Sequence, residues 1–282
     1  MKKTQAPTTG KVANVRYYEH MGKTYMRTAK NSRATNPRTP KQMRHRMRFA
    51  STSAIWREAK PHLKGYFVHK LPGQSDTNLF VHHNRSLGVY FTRDETWMRA
   101  QVMMPCQVSE GNLPSINCLL TDGRIMTDIA LGVQEIDEQT TIGEFATAVV
   151  GMNDSFERGD RLEFASFVQT VTHQDIPHIR VAFHSVRLVF DDHRLLWQVV
   201  PRDCFMAVDG HLGTSSELAE GCYGYIHVRD DNSLENNIID VSTQTLVNNN
   251  QAMIDRYSSA EAFDRAFASY GGRPPLFIEP EE

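Results

Sequence analysis

The chain has 282 residues, 40% apolar and 23% charged, and its 31 Lys+Arg nearly balance 33 Asp+Glu for a formal net charge of -2. That length and apolar content exclude a wholly disordered chain and allow one large or two ordinary domains with a buried core. No apolar run of about 18 residues occurs, which excludes a membrane-spanning helix.

The near-zero total hides a steep asymmetry. Up to Lys70 there are 17 Lys+Arg against 2 Asp+Glu, and beyond it 14 against 31, so +15 is followed by -17. Such segregation predicts a basic arm with an anionic partner: nucleic acid, an acidic neighbouring subunit, a membrane surface or the acidic body of the same protein. Cys106, Cys118, Cys204 and Cys222 are scattered without a C-x-x-C pair, so neither a zinc site nor a disulfide framework is indicated, and reduced, mostly buried thiols are expected. MKKTQAPTTGKVANV lacks the apolar stretch of a secretory leader, and the chain is expected to be intracellular when made.

In chain order, residues 1–10 read as a polar tail. Lys11 to Arg27 reads as a hairpin turning near His20–Gly22, with Val, Tyr and Thr favouring extended backbone. Its Tyr17, Tyr18 and Tyr25 are candidates for stacking on bases or packing on a sheet. A polar connector, Lys30–Arg38, leads to a strong helix start, with Thr39 as N-cap and Pro40 at the first helical position. Met43, Met47, Ala50 and Ala54 then fall on one helical face and Lys41, Arg44 and Arg48 on its neighbour. Arg33, Arg38, Lys41, Arg44, Arg46, Arg48 and Arg57 together are the candidate contacts to phosphates or to a partner's carboxylates. Pro61 ends this helix, and no long element is predicted between it and Asn84.

From Val102 onward short apolar runs alternate with turn residues: VMMPCQV, INCLL, RIMTDIALGV, FATAVV, RLEFASFVQTV, IRVAFHSVRLVF, LLWQVV, CFMAV, CYGYIHV and IIDVSTQTLV. This spacing predicts a mainly β (α+β) chain whose body is an antiparallel sandwich or barrel. In Ile179–Phe190 the apolar parity switches between Phe183 and Val186, predicting a β-bulge at His184–Ser185, and Asp191–Arg194 reads as a hairpin loop. Ser258-Ser259-Ala260-Glu261 fits a capping box, and Phe263, Ala266, Phe267 and Tyr270 form the stripe of an amphipathic helix expected to dock on the sheet. Gly271-Gly272 and Pro274-Pro275 stop it. The expected division is therefore a basic hairpin-helix arm (1–70), a connector (71–100) and an acidic β-rich body (101–282).

No residue set names a reaction. There is no G-x-S-x-G, no G-x-x-x-x-G-K-[ST], no G-x-G-x-x-G and no H-E-x-x-H, so no enzymatic activity and no cofactor are expected. His173, His178 and His184 are more economically surface or hydrogen-bonded imidazoles than metal ligands. Asp191-Asp192, Asp230-Asp231 and Glu135, Asp137 and Glu138 lack a calcium-loop pattern and read as solvated turns.

At Asn36-Pro37-Arg38-Thr39, Gln42, Arg46 and Phe49 the sequence resembles N-P-x-T-x-x-Q-x-x-x-R-x-x-F. That pattern recurs near the start of phage virion proteins and of an uncharacterised family found in Bacteroidota chromosomes and their phages. GKVANVRYYEHMGKTYMR looks like the family's opening hairpin, so the match covers roughly the first ninety residues. GDRLEFASF, the strand at Ile179–Phe190, VSTQTL and Ser269–Gly271 are similar to features of related chains. The resemblance implies a structural or assembly role in a phage tail, neck or ring, in a virion assembled in the host cytoplasm. It implies copies of the chain and other particle proteins as partners, with no membrane contact, and it carries no catalytic residue. A nucleic-acid-binding role for the same basic helix is the alternative.

Overall fold

In the computed structural model, which describes residues 10–12, 15–20, 23–28, 38–230 and 238–272, the chain divides into two compact units, Met1–Gln42 and Met43–Glu282. This boundary lies well inside the arm drawn from sequence at 1–70. The first unit is an antiparallel meander of β1 (Gly10–Val12), β2 (Val15–His20) and β3 (Lys23–Thr28), with β2 and β3 forming the expected hairpin. The polar tail to residue 9 and the connector at 29–37, with Arg33, Asn36 and Pro37, lie outside the described residues.

Helix α1 (Pro40–Ala59) starts where the sequence places it, with Thr39 Oγ1 accepting the Gln42 N–H at 3.4 Å. Met43, Met47 and Ala54 are buried as expected, but Ala50 is exposed and Ser51 and Thr52 are buried instead. Their hydroxyls are satisfied by carbonyls: Ser51 donates to Met47 at 2.9 Å and Thr52 to Arg48 at 3.0 Å.

The stretch up to Asn84, where no long element was expected, holds the eight-residue helix α2 (Asp76–His83), and α3 (Arg93–Trp97) follows it. Ser75 caps the first, and Thr92 with Glu95 forms a full capping box on the second.

The body continues with β4 (Gln107–Ser109), β5 (Cys118–Thr121), β6 (Arg124–Ala130), α4 (Ile142–Met152), β7 (Arg161–Val171) and β8 (Pro177–Arg187). Then follow β9 (Met206–Val208), β10 (His211–Gly213), β11 (Gly221–Asp230), β12 (Ile238–Val241), β13 (Gln244–Thr245), β14 (Val247–Asn248), α5 (Ala252–Ser258) and α6 (Ala260–Ser269).

Two expected strands are not strands. FATAVV lies in α4, because Thr141 and Glu144 build a capping box and Ile142, Phe145, Ala146 and Val149 bury one helical face. LLWQVV forms a short 3-10 turn at Leu196–Gln198.

The described residues form a mainly β, α+β structure with four antiparallel sheets and no barrel closure. The central sheet runs β12-β11-β7-β8, with β14 also on β11; a second sheet runs β5-β6-β10-β9, and β13 pairs with β4. One face of the central sheet buries Leu162, Phe164, Val186 and Tyr225 together with Phe145 of α4 and Ile125 and Leu212 of the second sheet. The opposite face buries Ala165, Phe167, Ile179 and Ile226 with Ile55, Trp56, Leu63, Phe67 and Phe80.

This two-sided burial corrects the bulge. β7 and β8 pair without a register shift from Arg161↔Arg187 to Val171↔Pro177. The apolar parity of β8 switches because its first half serves one core and its second half the other.

The loop at Asp191–Arg194 is present, but it leads to the 3-10 turn and so is not a hairpin. Its Asp192 and Arg194 carbonyls accept the Gly143 and Ile142 N–H groups, each at 2.9 Å, which seats the start of α4. A Cβ on Gly143 would lie 2.4 Å from the Phe190 carbonyl oxygen. Gly143→Ala is therefore expected to lower stability by about 1–3 kcal/mol in urea unfolding, because backbone must move.

The C-terminal helix forms, one residue later than expected: Ser259 is its N-cap and accepts the Ala262 N–H at 3.1 Å. Its Phe263, Ala266 and Phe267 pack on Met43, Met47 and Tyr90 rather than on the sheet.

Candidate interaction surface

The basic helix does not project freely. From Met43 onward α1 is part of the second unit, and three of its four arginines there are held by aromatic, thioether or hydroxyl groups of that unit. The Arg44 guanidinium lies 4.6 Å from the Phe263 ring centroid, Arg46 donates to Met43 Sδ at 3.9 Å, and Arg48 donates to the Tyr90 hydroxyl at 3.4 Å. Among the described residues no carboxylate forms an ion pair with Arg44, Arg46, Arg48 or Arg57. Arg38, Lys41, Gln42, Arg44, Arg46 and Arg57 are exposed and Arg48 is half-buried. Phe49 of the N-P-x-T motif is 61% exposed. The helix thus offers a fixed cationic surface.

The hairpin carries a second one. In the β2–β3 register Arg16 faces Arg27 and Tyr18 faces Tyr25, while Lys11 of β1 is aligned with Arg16, so one row across the meander holds three basic residues. The tyrosine rings stack at 5.7 Å, and the Arg27 guanidinium stands 5.7 Å from the Tyr18 centroid. Every residue of β3 is exposed. Sequence reading found the tyrosines; the opposition of Arg16 and Arg27 needed the register, which no local pattern specifies.

On the body, a groove of about 320 Å³ opens beside the start of α4. Leu131, Ile136 and Phe145 line its base, and the exposed carboxylates Glu135, Asp137 and Glu144 stand around it. Hydrogen bonds from the Thr140 hydroxyl and the Gln139 N–H hold the Asp137 carboxyl below its ordinary range, and those from the Thr141 N–H and hydroxyl do the same for Glu144. Both are therefore charged at neutral pH. Glu135, Asp137 and Glu138 are exposed, as the reading of solvated turns expected; the apolar base beneath the first two is brought together by α4 and the segment after β6.

A buried ionic cluster sits at one end of the central sheet. Asp160 Oδ2 lies 2.7 Å from His227 Nε2, and Arg229 adds two hydrogen bonds at 2.9 Å. Burial alone would raise the Asp160 carboxyl, but the bonds from Arg229, His227 and the Glu157 N–H outweigh it and hold it down at about 2. Beside it, Asp230, read from the sequence as part of a solvated turn, is instead buried at the end of β11 and accepts from Arg161 and Arg187, and Glu163 is bonded by Tyr66. Burial pushes the Glu163 carboxyl up. His227 is fully buried, stacks 4.1 Å from Phe156, and its Nδ1 meets no hydrogen-bond partner among the described residues. An Asp–His pair sealed this way holds strands together and is closed to a substrate.

The four cysteines are free thiols, three of them buried, as the sequence led us to expect. Among the described residues no three His, Cys, Asp or Glu side chains are grouped to hold a metal ion, and no helix is long and apolar enough to cross a membrane. No protein-family model, no curated protein and no solved structure matches the chain.

Proposed function

We propose that the chain is a non-enzymatic structural or assembly protein of a phage or phage-derived particle, a tail, neck or ring component, whose basic N-terminal unit contacts neighbouring subunits. The observation that carries this reading is the exposed meander: a small sheet whose third strand is exposed along its length and whose cations Arg16 and Arg27 face one another. So small a sheet is marginal alone and gains most from a partner that covers it. The acidic remainder of the chain, with 14 Lys+Arg against 31 Asp+Glu after Lys70, supplies the opposite charge. The N-P-x-T resemblance supports the particle setting. The docking element is the unit up to Gln42, and α1 beyond it acts as a fixed surface. Sedimentation of the full chain at low salt is expected to show concentration-dependent association, weakened by added salt and absent in a chain beginning at Met43. Monomers in both, at high concentration and low salt, would overturn the reading.

Nucleic-acid binding is the second reading, favoured by the guanidinium groups of Arg44, Arg46 and Arg57, which are exposed and form no ion pair among the described residues. It requires the full chain to retain DNA or RNA at moderate salt, with a smaller log–log salt slope in an Arg44→Ala/Arg46→Ala variant.

A further inference from the structure

We infer that the Arg16–Arg27 face of the hairpin seats in the acidic groove beside α4 of a second copy of the chain. This rests on the subunit-contact reading and assigns it a place.

The hairpin supplies the demand. Like charges directly opposite on neighbouring strands repel, and Arg16 and Arg27 are such a pair, with Tyr18 and Tyr25 continuing the same face. A matching surface needs carboxylates to relieve the repulsion and an apolar base to receive the rings.

Several of the body's carboxylates are already used. Asp191 is paired with Arg158 at 2.7 Å, Asp192 with Arg194 at 2.6 Å and Glu138 with Arg202 at 2.9 Å. Asp230 is buried between Arg161 and Arg187. Glu135, Asp137 and Glu144 form no ion pair among the described residues, and they stand around a groove with an apolar base. At about 320 Å³ that groove has room for side chains, which suits the Tyr18–Tyr25 stack entering with its arginines at the rim. Because the basic face and the acidic groove are different surfaces of one chain, contact between copies is either reciprocal across a two-fold axis or head-to-tail, the latter closing into a ring or continuing as a filament.

The test uses the full chain and keeps the groove separate from the general reading. Glu135 is exposed and takes no part in capping, so Glu135→Arg is expected to weaken self-association about ten-fold, as is Arg27→Glu, while the two together recover to within a few-fold of the parent. A photo-crosslinking residue at Tyr25, in a mixture of isotopically light and heavy copies, is expected to join light to heavy chains within residues 131–148. Association that is lost in a chain beginning at Met43 but untouched by Glu135→Arg, with crosslinks elsewhere, overturns the groove and leaves the subunit-contact reading standing. Crosslinks confined to single copies, or to co-purified nucleic acid, overturn the second copy as occupant. A monomeric full chain overturns both.

Discussion

A chain beginning at Met43 is expected to melt cooperatively near the temperature of the full chain, whereas one beginning at Leu71 is expected not to fold. The segment between those starts contributes Ile55, Trp56, Leu63, Tyr66 and Phe67, each 5% exposed or less, to the core beneath the central sheet. Burying five such side chains is worth about 2 kcal/mol each, or roughly 10 kcal/mol, against a total stability of about 5–15 kcal/mol for a typical domain. Starting at Met43 instead removes Thr39 and Pro40, a helix cap worth about 1 kcal/mol. Far-UV circular dichroism during thermal unfolding distinguishes the two. A Leu71 version with a native-like cooperative transition would show that α1 is dispensable and that the arm does extend to residue 70.

The second large effect is expected at Asp160. Asp160→Ala leaves His227 buried beside an Arg229 that has lost its main acceptor, and breaking a buried charged pair from one side typically costs about 3–5 kcal/mol. The pH dependence has a definite sign. The carboxyl is held at about 2 when folded against an ordinary value of 3.8, so its contribution is complete above that ordinary value and is lost as the pH falls toward 2. The difference corresponds to about 2 kcal/mol. Urea unfolding of parent and variant at neutral pH and across the acid range checks this: the gap between them is expected to be wide at pH 7 and to narrow below about pH 4. A gap that stays constant down to pH 2 would mean that the Asp160 charge contributes nothing and that only packing is lost.

The helix starts were legible wherever a cap precedes an apolar face. Thr39–Pro40 shows this, whereas Thr92-x-x-Glu95 caps a helix that buries no residue. Thr141-x-x-Glu144 carries the same signal as Thr39–Pro40, although the short apolar run FATAVV led the reading to a strand. Capping outweighed β-propensity there because Ile142, Phe145 and Val149 recur at helical spacing. The bulge failed for a different reason. A change of apolar parity means a register shift only when one face of a sheet is buried, and this sheet is buried on both. The C-terminal stripe was read correctly as a stripe, but what it meets, α1 and Tyr90, is separated from it by most of the chain.

By itself the sequence determined the mainly β composition of the body, the hairpin and helix at its N-terminus, the reduced cysteines and the segregation of charge. Each follows from local patterning or from counting. Only the tertiary structure decided that α1 belongs to the core from Met43 onward, that Arg16 opposes Arg27, and which carboxylates are already paired. The core contacts of α1 and pairs such as Arg158–Asp191 depend on residues distant in the chain approaching within a few ångströms, and the opposition of Arg16 and Arg27 depends on the hairpin register; local patterns record neither.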